Sequence, residues 1–277
     1  MRRETTIAPA AEKPDDWALY VKHRARMTAA LLDPGGERDR RLCLLGAGRC
    51  NDVDLNALLA TFAEIHLVDI DAAALNAAVA RVPAPARGRL HRHAPVDLSG
   101  LSQRLPTWEK KPPTLAEIQA YSTATVVANV ARLPGPFDVV VSACMLTQMS
   151  FHLSDVIDQQ HPMLGAIRQA LLVAHLGTLL ELTGPGGEAL LICDLTSSSF
   201  YPLDDLPAGG DLRQVMDDVL GKNAFYVSAN PTLIKRLLRR EDGLRGRGGE
   251  PTLIEPWLWT GGPERTYLVY GLRIKRT

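Results

Sequence analysis

Leu42-Cys-Leu-Leu-Gly-Ala-Gly-Arg-Cys-Asn-Asp-Val-Asp-Leu55 decides the fold of this chain. An apolar run ends at Gly46, a second glycine follows at Gly48 across Ala47, and an amphipathic helix is expected over 52–62. Twenty-one residues past Gly48 a second apolar run, Ile65-His-Leu-Val-Asp69, ends in a carboxylate. A buried strand that enters a tight glycine turn lets a ligand approach the backbone, because residues without Cβ leave room for it. An acid at the tip of the next strand accepts hydrogen bonds from ribose hydroxyls. This is the layout of a site for an adenosine-containing cofactor.

Outward from that stretch, strands and helices alternate. Residues 14–32 carry Trp17, Tyr20, Val21, Met27, Leu31 and Leu32 at helical spacing, and Pro34-Gly35-Gly36 ends them. Strands at 41–45, 64–69 and 89–94 enclose helices at 52–62 and 71–81, the second with Asp71 at its start and Pro83 and Pro85 at its close. Pro106, Pro112 and Pro113 mark a loop, and a helix over 114–133 completes an insertion at 99–134, expected to lie over the cofactor mouth. Phe137 to Cys144 is a β-branched, buried strand. A helix over 162–182 stops at Thr183-Gly-Pro-Gly-Gly187, and Glu188–Asp194 is the fifth strand. Helical patterns at 211–220 and 231–240 precede strands at 251–259 and 266–275, joined by a Thr-Gly-Gly-Pro turn. The expected fold is a doubly wound α/β domain with a seven-stranded, mostly parallel sheet and an antiparallel C-terminal strand. Residues 1–36 are expected to form a tail and helical cap, and 37–277 the α/β domain.

Composition narrows the class. The 277 residues are 46% hydrophobic and 22% charged, and Lys+Arg balance Asp+Glu at 31 each, so net charge points to no polyanionic partner. No apolar stretch reaches 18 residues, so no membrane span is expected. The basic N-terminus lacks an apolar core behind it and reads as a tail, not a signal peptide. Cys43, Cys50, Cys144 and Cys193 have no Cys-x-x-Cys spacing, and are expected to be reduced thiols in a cytoplasmic protein. The arginine-rich stretch from Lys235 to Arg247 is interrupted by Glu241 and Asp242 and reads as solvated surface rather than a nucleic-acid site.

Which cofactor follows from the residues after the turn. A dinucleotide sets its pyrophosphate against the N-terminus of the first helix, and its fingerprint wants a third glycine. Here Cys50 stands in that place, Asn51 and Asp52 begin the helix, and Asp54 lies in its first turn. Asp52 and Asp54 are either helix caps or ligand contacts. In both roles their charge disfavours a pyrophosphate and suits S-adenosylmethionine, with its sulfonium and α-ammonium cations. A Walker lysine is absent, which excludes a P-loop site.

With these features the chain resembles the class I S-adenosylmethionine-dependent methyltransferases over roughly residues 38–277. The resemblance implies that Gly46, Ala47 and Gly48 line the methionine and ribose portions, that Asp69 binds the ribose hydroxyls, and that Ile70 packs on the adenine. It implies further that Asp97, with Leu98, meets the adenine edge, and that Ser142, Ala143 and Cys144 face the transferred methyl group. The sequence departs from the family at Leu44, where an acid is common, and at Cys50, so Asn51 or Asp52 is expected to take over contacts with the amino-acid moiety.

The chemistry implied is in-line methyl transfer, in which the protein aligns the reactants and excludes water. No Asn-Pro-Pro-aromatic segment follows strand four; Ala143-Cys-Met-Leu-Thr-Gln148 stands there instead, which argues against the exocyclic-amine nucleic-acid methyltransferases, whose motif grips a flipped base, and the expected acceptor is a small molecule or another unidentified group. Gln148 and His152, at the acceptor rim, are the catalytic candidates, His152 having an imidazole suited to a general base or else being an exposed loop residue. His175, among leucines, reads as a core histidine. His91 and His93 share a strand face without an apparent third ligand, so no metal is expected. Trp17 and Tyr20 either close over the site or simply pack, and Trp257 and Trp259 read as core or interface. Two other readings stay open: a nicotinamide-dependent oxidoreductase on a variant fold, and an inactive cofactor-binding module that makes protein contacts through its N-terminal helix and insertion.

Overall fold

The computed structural model describes residues 16–32, 39–207, 209–261 and 265–277. The expected tail at 1–15, the Pro34-Gly35-Gly36 stop and residues 262–264 of the last turn lie outside the described residues.

The strands are β1 (Arg41–Leu45), β2 (Glu64–Val68), β3 (Leu90–His93), β4 (Phe137–Ala143), β5 (Thr183–Ser197), β6 (Thr252–Thr260) and β7 (Thr266–Lys275). They form one sheet in the order β3-β2-β1-β4-β5-β7-β6. The first five pair in parallel, and β7 runs antiparallel to both β5 and β6. This is the seven-stranded arrangement expected from the alternation of elements. The chain winds outward from β1 to β3, then returns to lay β4 on the other side of β1. The crevice beyond the carboxyl ends of β1 and β4 is therefore the switch point at which open α/β sheets receive ligands.

The helices are α1 (Val21–Leu31), α2 (Leu55–Leu59), α3 (Ala72–Ala80), α4 (Leu105–Trp108), α5 (Leu115–Arg132), α6 (Met145–Val156), α7 (Leu164–Leu182), α8 (Leu212–Gly221) and α9 (Pro231–Arg240). Alternation along each strand divides the core into two layers. Leu42 and Leu44 of β1 join Ile65, Leu67, Val139 and Val141 beneath α1, α2 and α3. Cys43 and Leu45 join Val68, Val140, Leu171 and Leu179 beneath the helices of the other face.

Several boundaries differ from expectation for local reasons. The helix expected over 52–62 shrinks to α2 because Asp54 is its N-cap: Oδ1 accepts from Asn56 N at 2.9 Å and Ala57 N at 3.2 Å. Asp71 does cap α3, as its position implied. The N-terminal helix begins only at Val21, after a 3₁₀ turn at Asp16–Ala18. The sequence reading missed α6, which has no side-chain cap and starts after Cys144 in a left-handed conformation at φ +51°.

The insertion also sits differently. Its helix α5, opened by a Thr114/Glu117 capping box, runs along α7 and ties down the loop after β3. Tyr121 Oη donates to Ser99 O at 2.6 Å and Asn129 Nδ2 donates to Leu98 O at 3.0 Å. Its apolar residues Ile118 and Tyr121 are buried in the α7 layer, which sets its course. α1 packs on the residues that follow the glycine turn, with Arg24 bonded to Asn51 O and Thr28 to Asp54 N.

Candidate functional site

β1 delivers the chain to Gly46, whose N–H and that of Ala47 both donate to Val68 O, at 2.9 and 3.0 Å. Gly46 and Gly48 have φ of +72° and +47°, a region that side chains with a Cβ resist. A Cβ on Gly46 would stand 2.0 Å from Met145 Sδ, so this glycine also permits close packing with the start of α6. Gly48 N donates to Asp69 Oδ2 at 2.8 Å, and Asp71 N donates to Asp69 Oδ1 at 2.9 Å. Each Asp69 oxygen therefore accepts one backbone bond that fixes it at the strand tip and keeps capacity for a further donor. Ile70, just beyond, is exposed.

Cys50, in place of the third glycine, adopts φ +51° and is buried. Burial, reinforced by Asp52, pushes its thiol up to about 12, so it acts as a packing group rather than a nucleophile.

The residues after it meet α1 one by one. Arg24 Nη1 donates to Asn51 O at 3.0 Å, His23 Nε2 lies 3.3 Å from Asp52 Oδ1, and Asp54 N donates to Thr28 Oγ1 at 2.9 Å. Trp257 Nε1 donates to His23 Nδ1 at 3.0 Å, which places the His23 proton on Nε2, facing Asp52. Trp259 stacks on His23 with centroids 4.5 Å apart, and Tyr20 meets Trp259 edge-on. Trp17 lies under the guanidinium of Arg24. Asp54 alone caps the helix; Asp52 is left to face the turn, and the buried Asn51 Oδ1 has no hydrogen-bond partner among the described residues.

Other expected residues stand elsewhere. Burial would raise the Asp97 carboxyl, but bonds from Ser99 and Ser102 outweigh it and hold it below its usual value. Its oxygens accept from Ser99 N, Ser99 Oγ, Gly100 N and Ser102 N, so it builds its own loop rather than presenting a free acid to an adenine edge. Leu98 is buried in the core. Ser142 turns away from the switch-point layer that Val141 and Ala143 line, because adjacent strand residues point to opposite faces. Its Oγ bonds the buried His175 Nε2 at 2.7 Å. Ala143 borders the small cavity of about 10 Å³ beside Met27, Gly46, Ala47 and Asp52. Cys144 is buried at the same edge, its thiol pushed well up by burial and by Asp194.

Gln148 is exposed and His152 half-buried, both on α6 rather than in a loop. One residue before Gln148, Thr147 Oγ1 donates to Asp194 Oδ1 at 2.5 Å. Asp194 stands near the carboxyl end of β5 at 6% exposure, and burial pushes its carboxyl up to about 7. Sequence reasoning missed His23, Thr147 and Asp194; an acid closing the apolar run before Asp194 was the available signal, as it was for Asp69. The expectation of no third ligand near His91 and His93 is also corrected, since β2 places His66 and Glu64 beside His91.

A concavity of about 900 Å³ lies between α5, α7 and residues 241–247 and contains none of the glycine-turn residues.

No protein-family model matches the chain, and no curated protein matches it. Solved structures with a similar course include the S-adenosylmethionine-dependent methyltransferase SibL in its apo form, at 16% identity over 89% of this chain and 53% of that one, TM-score 0.40. They also include the O-methyltransferase TomG from Streptomyces achromogenes in complex with SAM, at 15% identity over 97% of this chain and 82% of that one, TM-score 0.39. A SAM-dependent methyltransferase from Methanosarcina mazei is 12% identical over 88% of this chain and 98% of that one, TM-score 0.46. The chain spans about half the length of SibL and of the CurJ carbon methyltransferase, another such structure. At these identities no residue role transfers, and the site rests on its own geometry: the Gly46–Gly48 turn, Asp69 locked to it, and Asp52 held by His23.

Proposed function

We propose that this chain is a class I S-adenosylmethionine-dependent methyltransferase acting on a small-molecule acceptor. The observation that carries the reading is Asp52. It is released from capping by Asp54, oriented by His23, and lines the switch-point cavity with Gly46 and Ala47, and Asn51, next to it in the chain, offers Oδ1 as a second acceptor. Those acceptors fit an α-ammonium group. A pyrophosphate fits poorly, because Asp54 already takes the N–H groups of Asn56 and Ala57 and both nearby carboxylates repel it.

When bound, S-adenosylmethionine supplies an electrophilic methyl carbon on a sulfonium. Asn51 and Asp52 hold the amino-acid end, Asp69 accepts from the ribose hydroxyls, and Ile70 covers one adenine face. α1 covers the turn and excludes water from it. The Met145 side chain, packed over Gly46, is the flexible group that yields space there. Where the acceptor's nucleophile carries a proton, Asp194 takes it; burial raises this carboxyl to about 7, near the pH at which a base works best. Four unpaired, buried cysteines support a cytoplasmic setting. Among the described residues no helix is long and apolar enough to cross a membrane.

Calorimetry with S-adenosylhomocysteine and with NADH separates this reading from an oxidoreductase. The former is expected to bind and the latter not; NADH binding alone would overturn it.

A further inference from the structure

The two histidines of β3 acquire partners only through strand register. His66 of β2 pairs with His91 of β3, and Glu64 precedes His66 on the same face of β2. One donor atom each from Glu64, His66 and His91 lie within 4.8 Å of one another. Glu64 Oε2 is 3.4 Å from His66 Nε2, and Glu64 Oε1 is 3.8 Å from His91 Nε2. The His66 and His91 rings stack with centroids 4.6 Å apart. His91 Nε2 is buried without a hydrogen-bond partner among the described residues.

We propose that Glu64, His66 and His91 form a binding site for a divalent transition metal of the zinc class, riveting the edge strand β3 to β2. Two imidazoles and one carboxylate suit a borderline cation such as Zn²⁺ better than Mg²⁺ or Ca²⁺, which prefer all-oxygen sets. Three protein ligands leave a fourth position to water.

The surroundings supply outer support. His66 Nδ1 lies 3.0 Å from His93 Nε2, so the ring nitrogen turned away from the site is engaged and the ring is held in orientation. Phe137 packs against His66 with centroids 4.8 Å apart. Arg41 opposes the cation by charge, and its Nη2 lies 3.4 Å from His66 Nε2, a contact that a cation would displace; the guanidinium is also tethered to Pro134 O and Pro136 O and donates to Glu64 Oε2, leaving Oε1 toward His91. The site lies at the amino end of β2, whereas Asp69 follows its carboxyl end, so the inference stands apart from the methyl-transfer reading.

The experiment is calorimetric titration of ZnCl₂ into the full chain after removal of metal by a chelator. One equivalent per chain is expected, weakened by more than about tenfold in both His91→Ala and Glu64→Gln. These two side chains are 39% and 43% exposed, so the variants are expected to fold, and metal-free melting temperatures close to the wild-type value check that they do. Cobalt loading is expected to give visible d–d bands without thiolate charge transfer, since no cysteine belongs to the set. Absence of stoichiometric zinc binding, or equal binding by wild type and both variants, would overturn the proposal.

Discussion

His23 Nε2 stands 3.3 Å from Asp52 Oδ1 while His23 Nδ1 accepts from Trp257 Nε1 at 3.0 Å. One buried imidazole thus joins the N-terminal helix, the C-terminal hairpin and the glycine turn. It turns a carboxylate that could have been a helix cap into a fixed acceptor facing the switch point.

His23→Ala removes that orientation and leaves Trp257 Nε1 buried without a partner. The expected loss is about 1–3 kcal/mol of stability, together with about tenfold weaker cofactor binding. Asp52→Asn is expected to weaken binding with little change in stability, because Asp54 still caps α2. Denaturant titration and calorimetry on the two variants check this split.

Gly46→Ala meets two penalties, a φ of +72° and a Cβ 2.0 Å from Met145 Sδ. The backbone part alone costs about 1–2 kcal/mol. Adding Met145→Ala is expected to recover the steric part only, so a double-mutant cycle by chemical denaturation will be non-additive.

Asp194 gives a pH signature. Burial raises its carboxyl from 3.8 to about 7, so between those values the folded chain holds a proton that the unfolded chain has released. Its contribution to stability therefore falls as pH rises through that window and is flat above it. Asp194→Asn is expected to remove this slope in melting temperature against pH. In the proposed reaction the wild-type rate rises through about pH 7, and the variant loses that rise.

His175 acts in the opposite sense. Burial lowers it from 6.5 to about 4, so stability is lost as pH falls between those values. For a fully buried imidazole this amounts to about 3 kcal/mol by pH 4. His175→Gln is expected to flatten the acid side of the stability curve, measured by urea titration from pH 4 to 7.

The elements legible in the sequence are those with local causes. The Gly46-x-Gly48 turn, the acid at Asp69, the Asp71 cap and the C-terminal hairpin each follow from backbone demands within a few residues. Asp97 followed by Ser99 and Gly100 also carried a local signal, that of a carboxylate closing its own turn, which the family pattern overrode. Asp52 and Asp54 were ambiguous because both precede α2 closely enough to cap it, and the choice is made by α1, which takes Asp52 with His23 and Asp54 N with Thr28. α6 was missed for want of a polar cap. The grouping of Glu64, His66 and His91 depends on register between strands, which no spacing along one strand reports.

The most direct test of the central claim is a crystal structure with S-adenosylhomocysteine bound. The account predicts the α-ammonium group within hydrogen-bond distance of Asp52 and the Asn51 Oδ1, and the ribose hydroxyls on Asp69. A ligand seated away from the Gly46–Gly48 turn, or an amino-acid end that leaves Asp52 on His23 alone, would contradict it.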